Sequence, residues 1–170
     1  MTETLQGKKI LIVDDEPDVL ETLCELLDMC VVDYARNFET AERLLKENSY
    51  DAAVFDIMGV KGYDLLQLAR GKDLPAIMLT AHALSPDHLV KSVKGGAFSY
   101  IPKDEMVDIA IYLDDAIQAK LKGDRKPQNW FRKLSSVFDK KFGSDWRAEH
   151  KEALKDFDLK HSREELEDIL

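Results

Sequence analysis

Asp14, Asp15, Asp56, Thr80 and Lys103 have side chains suited to phosphoryl chemistry. Three carboxylates gathered in one pocket repel one another, and keeping them ionised calls for a cation. A hard divalent ion with oxygen ligands, such as Mg²⁺, meets that need. Such an ion can bridge an incoming phosphoryl group and neutralise its developing charge. A carboxylate can then act as nucleophile and become an aspartyl phosphate. Lys103 supplies a mobile positive charge for the new phosphate, and Thr80 a hydroxyl donor. Each residue alone is commonplace. An Asp-Asp pair often belongs to a capping loop, and a single Thr or Lys at a strand end carries little information. The argument rests on whether the fold brings all of them to one place.

The surrounding sequence predicts that it does. KKILIV (8–13) is a continuous apolar run, as expected of a strand buried on both faces. Pro17 fits a first helical turn, and Val19, Leu20, Leu23, Leu26 and Leu27 follow at helical spacing. VVDYA (31–35) reads as a second strand, with Phe38, Ala41, Leu44 and Leu45 on a second helix. AAVFDI (52–57) is the third strand, and Gly62 precedes a short helix with Leu65, Leu66 and Ala69. AIMLT after Pro75 is the fourth strand. Ser85 and Pro86 form a helix start, Val90 and Val93 are expected to face inward, and Gly95-Gly96 ends that helix. AFSYI (97–101) is the fifth strand, and a last helix runs from about Asp104 towards Gly123. Alternating strands and helices imply a doubly wound α/β fold with a parallel sheet. Such sheets carry their chemistry beyond the carboxyl ends of the strands, where all five residues fall.

The chain of 170 residues has room for one domain and an appendage. Its 45% hydrophobic content supports a packed core. No apolar run approaches bilayer length, and the start, MTETLQGKKILIVDDE, lacks the pattern of a secretory signal; a cytoplasmic protein is expected. Cys24 and Cys30 read as small apolar fillers rather than a disulfide. The first 120 residues hold 12 Lys and Arg against 22 Asp and Glu, a balance that repels nucleic acid.

The motifs KKILIVDDEPDVL, SYDAAVFDIM, AIMLTA and GAFSYIPK occur in order, and over roughly residues 7–121 the chain resembles two-component response-regulator receiver domains (CheY-like). The resemblance implies a flavodoxin-like five-stranded sheet of order 2-1-3-4-5. It implies that Asp56 accepts phosphate from a histidine kinase or histidine phosphotransfer protein. Mg²⁺ would be held by Asp14, Asp15, Asp56 and the backbone carbonyl of Met58. Thr80 and Lys103 would contact the phosphoryl group, and Tyr100 would be the aromatic switch coupled to Thr80. Such a domain catalyses its own phosphotransfer and dephosphorylation without being an enzyme with an independent substrate. The chain departs from the family pattern twice. After Asp56 it reads Ile57-Met58-Gly59-Val60-Lys61-Gly62, without the family's Pro and about two residues short. Lys103 is followed by Asp104 where the family has Pro, and a locally different or strained loop is expected.

Residues 1–122 are therefore read as the receiver and 123–170 as a helical extension without counterpart in the family. Trp130, Phe131, Leu134, Val137, Phe138 and Phe142 fall on one side of a helix ending at Gly143. Ser144 is expected to cap a second helix carrying Trp146, Ala153, Leu154 and Phe157, and Ser162 and Glu165 form a capping-box pattern. These apolar stripes must pack on the receiver, on each other or on a second chain as a homodimer. Residues 122–141 carry seven basic and two acidic side chains, which raises DNA binding as an alternative output. No helix-turn-helix pattern accompanies them, so signalling through protein contacts is the preferred reading. The short loop raises a further alternative, a phosphate-independent pseudo-receiver.

Overall fold

Five parallel strands form one sheet in the order β2-β1-β3-β4-β5. They are β1 (Lys9–Val13), β2 (Val31–Ala35), β3 (Ala52–Phe55), β4 (Ala76–Thr80) and β5 (Ser99–Pro102). The structure is a computed structural model that describes residues 3–123, 128–143 and 145–151. Every residue of β3 and β4 is buried, because helices cover both faces of the sheet. Strand β2 lies at an edge, and its Val31 and Tyr34 are more than half exposed.

Helices α1 (Pro17–Leu26), α2 (Phe38–Glu47), α3 (Gly62–Gly71), α4 (Pro86–Lys94) and α5 (Ile109–Leu121) make the crossovers. Their starts follow local chemistry. Asn37 Oδ1 accepts from the Thr40 N–H at 2.9 Å to cap α2. Ser85 Oγ accepts from the His88 N–H at 3.2 Å, with Pro86 opening α4 as expected.

Several boundaries differ from the sequence expectation. Strand β3 ends at Phe55 rather than residue 57, and the loop that turns into α3 begins at Asp56. Strand β5 begins at Ser99 rather than residue 97. Gly96 sits at φ +96°, and the Ala97 N–H bonds back to the Ser92 carbonyl, so residues 96–97 complete the end of α4. On α4 the inward residues are Leu89 and Ser92; Val90 and Val93 lie half-buried at the margin of the core. The last receiver helix does not start at Asp104. Residues Lys103–Asp108 form a 3₁₀ helix, and α5 follows. That 3₁₀ turn is the locally different loop expected after Lys103, and the peptide bonds of the described residues are all trans.

The extension contributes α6 (Gln128–Phe142) and α7 (Trp146–Glu149). Asp145 is the N-cap of α7; Ser144, the apolar residues 153–157 and the capping-box pattern of Ser162 and Glu165 lie outside the described residues. Trp130, Phe131, Leu134, Phe138 and Trp146 are buried in the same apolar cluster as the sheet and α5. In the chain itself this stripe packs on the receiver, with Phe138 against Tyr100, and its rings also pack on one another. Lys141 Nζ reaches Asp104 Oδ2 at 2.8 Å, and Lys133 Nζ stands over the Tyr112 ring at 5.9 Å. Some of the basic side chains of α6 are thus engaged by the receiver itself.

His150, just after α7, ties the extension to α4. Its Nε2 lies 3.0 Å from Asp87 Oδ1 and its Nδ1 2.9 Å from the Trp146 carbonyl. Both neighbours are acceptors, and only the imidazolium can donate to both. The Trp146 carbonyl and then Asp87 raise its pKa above the ordinary value, with Glu149 adding to the effect and burial opposing it slightly. A raised histidine pKa stabilises the docked state fully below the ordinary value of about 6.5, and the benefit is lost as pH rises through the folded-state pKa. Docking of α7 should therefore weaken between mildly acidic and alkaline pH. Tryptophan emission measured against pH should shift in wild type and be flat in His150→Gln.

Candidate functional site

The sheet register fixes the pocket. Val13 pairs with Phe55, so Asp14 and Asp56 leave adjacent strands side by side. Thr80 pairs with Pro102, so Lys103 leaves the sheet at the same edge. Asp14, Asp56 and Thr80 are at most 3% exposed, Lys103 is 8% exposed, and Asp15 faces solvent.

Lys103 is the hub of this site. Its Nζ lies 2.9 Å from Asp14 Oδ2, 3.4 Å from Asp56 Oδ2 and 3.5 Å from Glu16 Oε1. Burial alone would lower the ammonium pKa, but the bond to Asp14 and the charges of Asp14, Asp56 and Glu16 outweigh it and raise it. Lys103 is therefore held charged. Burial also pushes Asp14 up, against bonds from the Glu16 N–H and Lys103. Asp56 is pushed up to about 6, first by burial and then by the charge of Asp14, with Lys103 opposing. One ammonium does not neutralise this much negative charge.

The deficit is where a cation fits. Asp14, Asp15 and Glu16 each offer a carboxylate oxygen, and these lie within 4.8 Å of one another. An all-oxygen, anionic donor set suits Mg²⁺ rather than a softer metal. Asp56 touches this group through Lys103, and Met58 lies in the loop immediately after it, with its side chain half exposed. Glu16 was not among the residues singled out from the sequence, although the run Asp14-Asp15-Glu16 was the available signal.

The short loop after Asp56 is packed tightly against the pocket. Val60 is fully buried, and Gly59, at φ +86°, lies against Asp15: a Cβ there would stand 2.4 Å from Asp15 Oδ2. Gly62 opens α3, and a Cβ on it would stand 2.1 Å from the backbone carbonyl oxygen of Asp56. The obstacle at Gly62 is main chain and cannot rotate away. Gly62→Ala should therefore destabilise the protein by about 1–3 kcal/mol, the usual cost of overpacking, and displace Asp56. Urea unfolding together with phosphate uptake would check it; an alanine variant as stable and as active as wild type would contradict this packing.

Thr80 and Tyr100 meet on the loop after β4. Thr80 Oγ1 accepts from the Ala83 N–H at 3.0 Å. The Tyr100 hydroxyl donates to the Ala83 carbonyl at 2.6 Å and accepts from the Ser85 N–H at 3.0 Å. The hydroxyl of Tyr100 is thus internal, not the wet strand aromatic that its position alone would allow.

The sequence and the fold match a known family. The family of response regulator receiver domains matches residues 10–111. The chain belongs to that family. A two-component response regulator of Arabidopsis thaliana is 36% identical over 103 residues, which span 57% of this chain and 16% of that protein. The response regulator protein PilR of Pseudomonas aeruginosa is 36% identical over 105 residues, 58% of this chain and 23% of that protein. The chain thus spans less than a quarter of the length of these two relatives. Among solved structures, a response regulator receiver domain from Clostridium thermocellum superposes with a TM-score of 0.61 at 30% identity, covering 66% of this chain and 96% of that one. Receiver domains belong to two-component systems, and in this receiver the helices α6 and α7 lie outside the residues that the family matches. Among the described residues no helix is long and apolar enough to cross a membrane.

Proposed function

We propose that the protein is a phosphorylation-switched response regulator in which Asp56 takes a phosphoryl group from a histidine kinase or a histidine phosphotransfer protein. The observation that carries this reading is the placement of Asp56 beside Asp14 at the sheet edge, both within reach of Lys103. Asp14 and Asp15, with the Asp56 carboxylate and the Met58 carbonyl, would hold Mg²⁺, and Glu16 is near enough to support them. When bound, the ion supplies positive charge against the phosphoryl oxygens. An Asp56 oxygen attacks phosphorus, an O–P bond forms, and the P–N bond to the donor imidazole breaks. Lys103 then pairs with the phosphoryl group in place of the Asp56 carboxylate, and the Thr80 hydroxyl donates to it. The protein turns over no independent substrate; it catalyses its own transfer and hydrolysis.

The output is through protein contacts. The acidic receiver and the engagement of Lys133 and Lys141 with the receiver weigh against DNA as the partner. Acetyl phosphate replaces the kinase in the test. With Mg²⁺, intact mass should show one added phosphate that hydroxylamine removes; with EDTA it should show none. No phosphate with Mg²⁺ would leave the phosphate-independent pseudo-receiver as the better reading.

A further inference from the structure

A second cleft lies at the amino-terminal edge of the sheet, at the opposite end of β3 from Asp56. It has a volume of about 380 Å³ and is bordered by the carboxyl ends of α2, α3 and α5, where the chain enters β3 and β4. Pockets of this size hold small organic ligands. Leu45 and Leu74, both buried, give it an apolar wall. Half-buried Tyr50 adds an aromatic ring, fixed by residues that do not line the cleft. Its hydroxyl donates to Asp33 Oδ2 at 2.7 Å, and Lys9 Nζ stands 5.1 Å from the ring centroid.

The polar groups of the cleft divide into engaged and unengaged. Asn48 is engaged: its Nδ2 donates to the Leu44 carbonyl at 3.2 Å, and its Oδ1 accepts from Lys9 Nζ at 3.1 Å. The last carbonyls of α2 have donors as well, from the Asn48 N–H to Leu44 and from Lys72 Nζ to Leu45. What remains is all donor. Lys72 keeps two of its three ammonium hydrogens, and the side chains of Lys120 and Ser49 make no hydrogen bond or ion pair among the described residues. No carboxylate lines the cleft. A lysine in the last turn of a helix commonly balances the carbonyl ends. Lys72 does so for α2, but the Lys120 ammonium reaches the cleft without an acceptor.

We propose that this cleft binds a small phosphate monoester with a flat apolar body. Lys72 and Lys120 stand on different helices and supply two charges for one dianion, and lysine serves phosphate as a point charge. The Ser49 hydroxyl adds a neutral donor. The body of the ligand lies against Tyr50, Leu45 and Leu74, where its apolar surface leaves water. The site is separate from the chemistry at Asp56, so its failure would leave the phosphoacceptor reading standing.

The test titrates phenyl phosphate into the full chain at neutral pH in Mg²⁺-free buffer and follows the backbone amide resonances. Saturable shifts are expected at Ser49, Tyr50 and Leu74 and not at Asp14, Asp15 or Asp56. Inorganic phosphate lacks the ring and phenol lacks the charge; each should bind severalfold more weakly. Added salt should weaken phenyl phosphate binding, because the two ammonium groups are exposed. Lys72→Gln should weaken it severalfold, but that variant also removes a donor to α2. Lys120→Gln separates binding from folding, since Lys120 makes no bond within the described fold. It should bind severalfold more weakly with an unchanged urea midpoint. No saturable shift, or shifts centred on Asp56, would overturn the inference. Wild-type binding by Lys120→Gln would overturn it too, as would inorganic phosphate or phenol binding as tightly as phenyl phosphate.

Discussion

Asp56→Asn is expected to end phosphate uptake and, in Mg²⁺-free buffer at neutral pH, to stabilise the fold by up to about 3 kcal/mol. The amide lacks the nucleophilic carboxylate, which accounts for the first effect. The second follows from linkage. The Asp56 pKa is raised from an ordinary 3.8 to about 6, mainly by burial and then by Asp14. A carboxyl whose folded-state pKa is raised is bound more tightly by its proton in the fold. Its stabilising contribution is complete below about pH 4 and is lost as pH rises through about 6. Above that, the ionised side chain is a cost, of about 1.4 kcal/mol for each pKa unit. Asparagine resembles the neutral acid at every pH. Lys103 keeps Asp14 and Glu16 as partners, so it is not left uncompensated. Urea unfolding of wild type and variant should therefore coincide near pH 4, diverge between pH 4 and 6, and remain apart above. Saturating Mg²⁺ should narrow the gap by stabilising wild type. A variant less stable than wild type at pH 7.5 without metal would show instead that the Asp56–Lys103 pair dominates the pocket.

Phe138→Ala should detach the extension while leaving the receiver folded. Removing a fully buried phenylalanine costs about 3–5 kcal/mol, and the surrounding ring pairs make this position central to the contact. The polar fastenings cannot make up the loss. The Lys141–Asp104 pair lies at the surface, Asp104 being 73% exposed, and such pairs contribute at most about 1 kcal/mol. Helix α6 has 15 residues and is marginal without tertiary contacts. Emission of Trp130 and Trp146 should shift to the red in Phe138→Ala with the far-ultraviolet signal of the receiver largely retained, whereas Lys141→Ala should change little. Native emission in Phe138→Ala would mean that ion pairs rather than rings hold the extension.

The two predictions draw on features of unequal legibility. Asp56, Asp14, Thr80 and Lys103 were readable because each follows an apolar run, and a parallel sheet brings the ends of such runs together. The partners of Lys103 were less so. Pairing a lysine with Asp14 and Glu16 is a non-local event that no spacing encodes, and Glu16 escaped notice beside the more familiar Asp-Asp pair. Gly62 was visible as a helix start, but its closeness to the Asp56 carbonyl depends on how a shortened loop closes. On α4, helical spacing gave the apolar positions, yet the phase set by Pro86 turned Leu89 and Ser92 inward in place of Val90 and Val93. The extension shows the same limit on a larger scale. Periodicity states that Trp130, Leu134 and Phe138 share a face, but not what covers it, and only the three-dimensional packing distinguishes the receiver from a second chain.

The central claim is that phosphate is carried by Asp56, and reductive trapping reads this at one residue. Borohydride converts an aspartyl phosphate to homoserine, which peptide mass spectrometry can place. After acetyl phosphate, Mg²⁺ and borohydride, homoserine is expected at position 56 and nowhere else. Homoserine at Asp14 or Asp15, or at no position in protein that received the full treatment, would contradict the account.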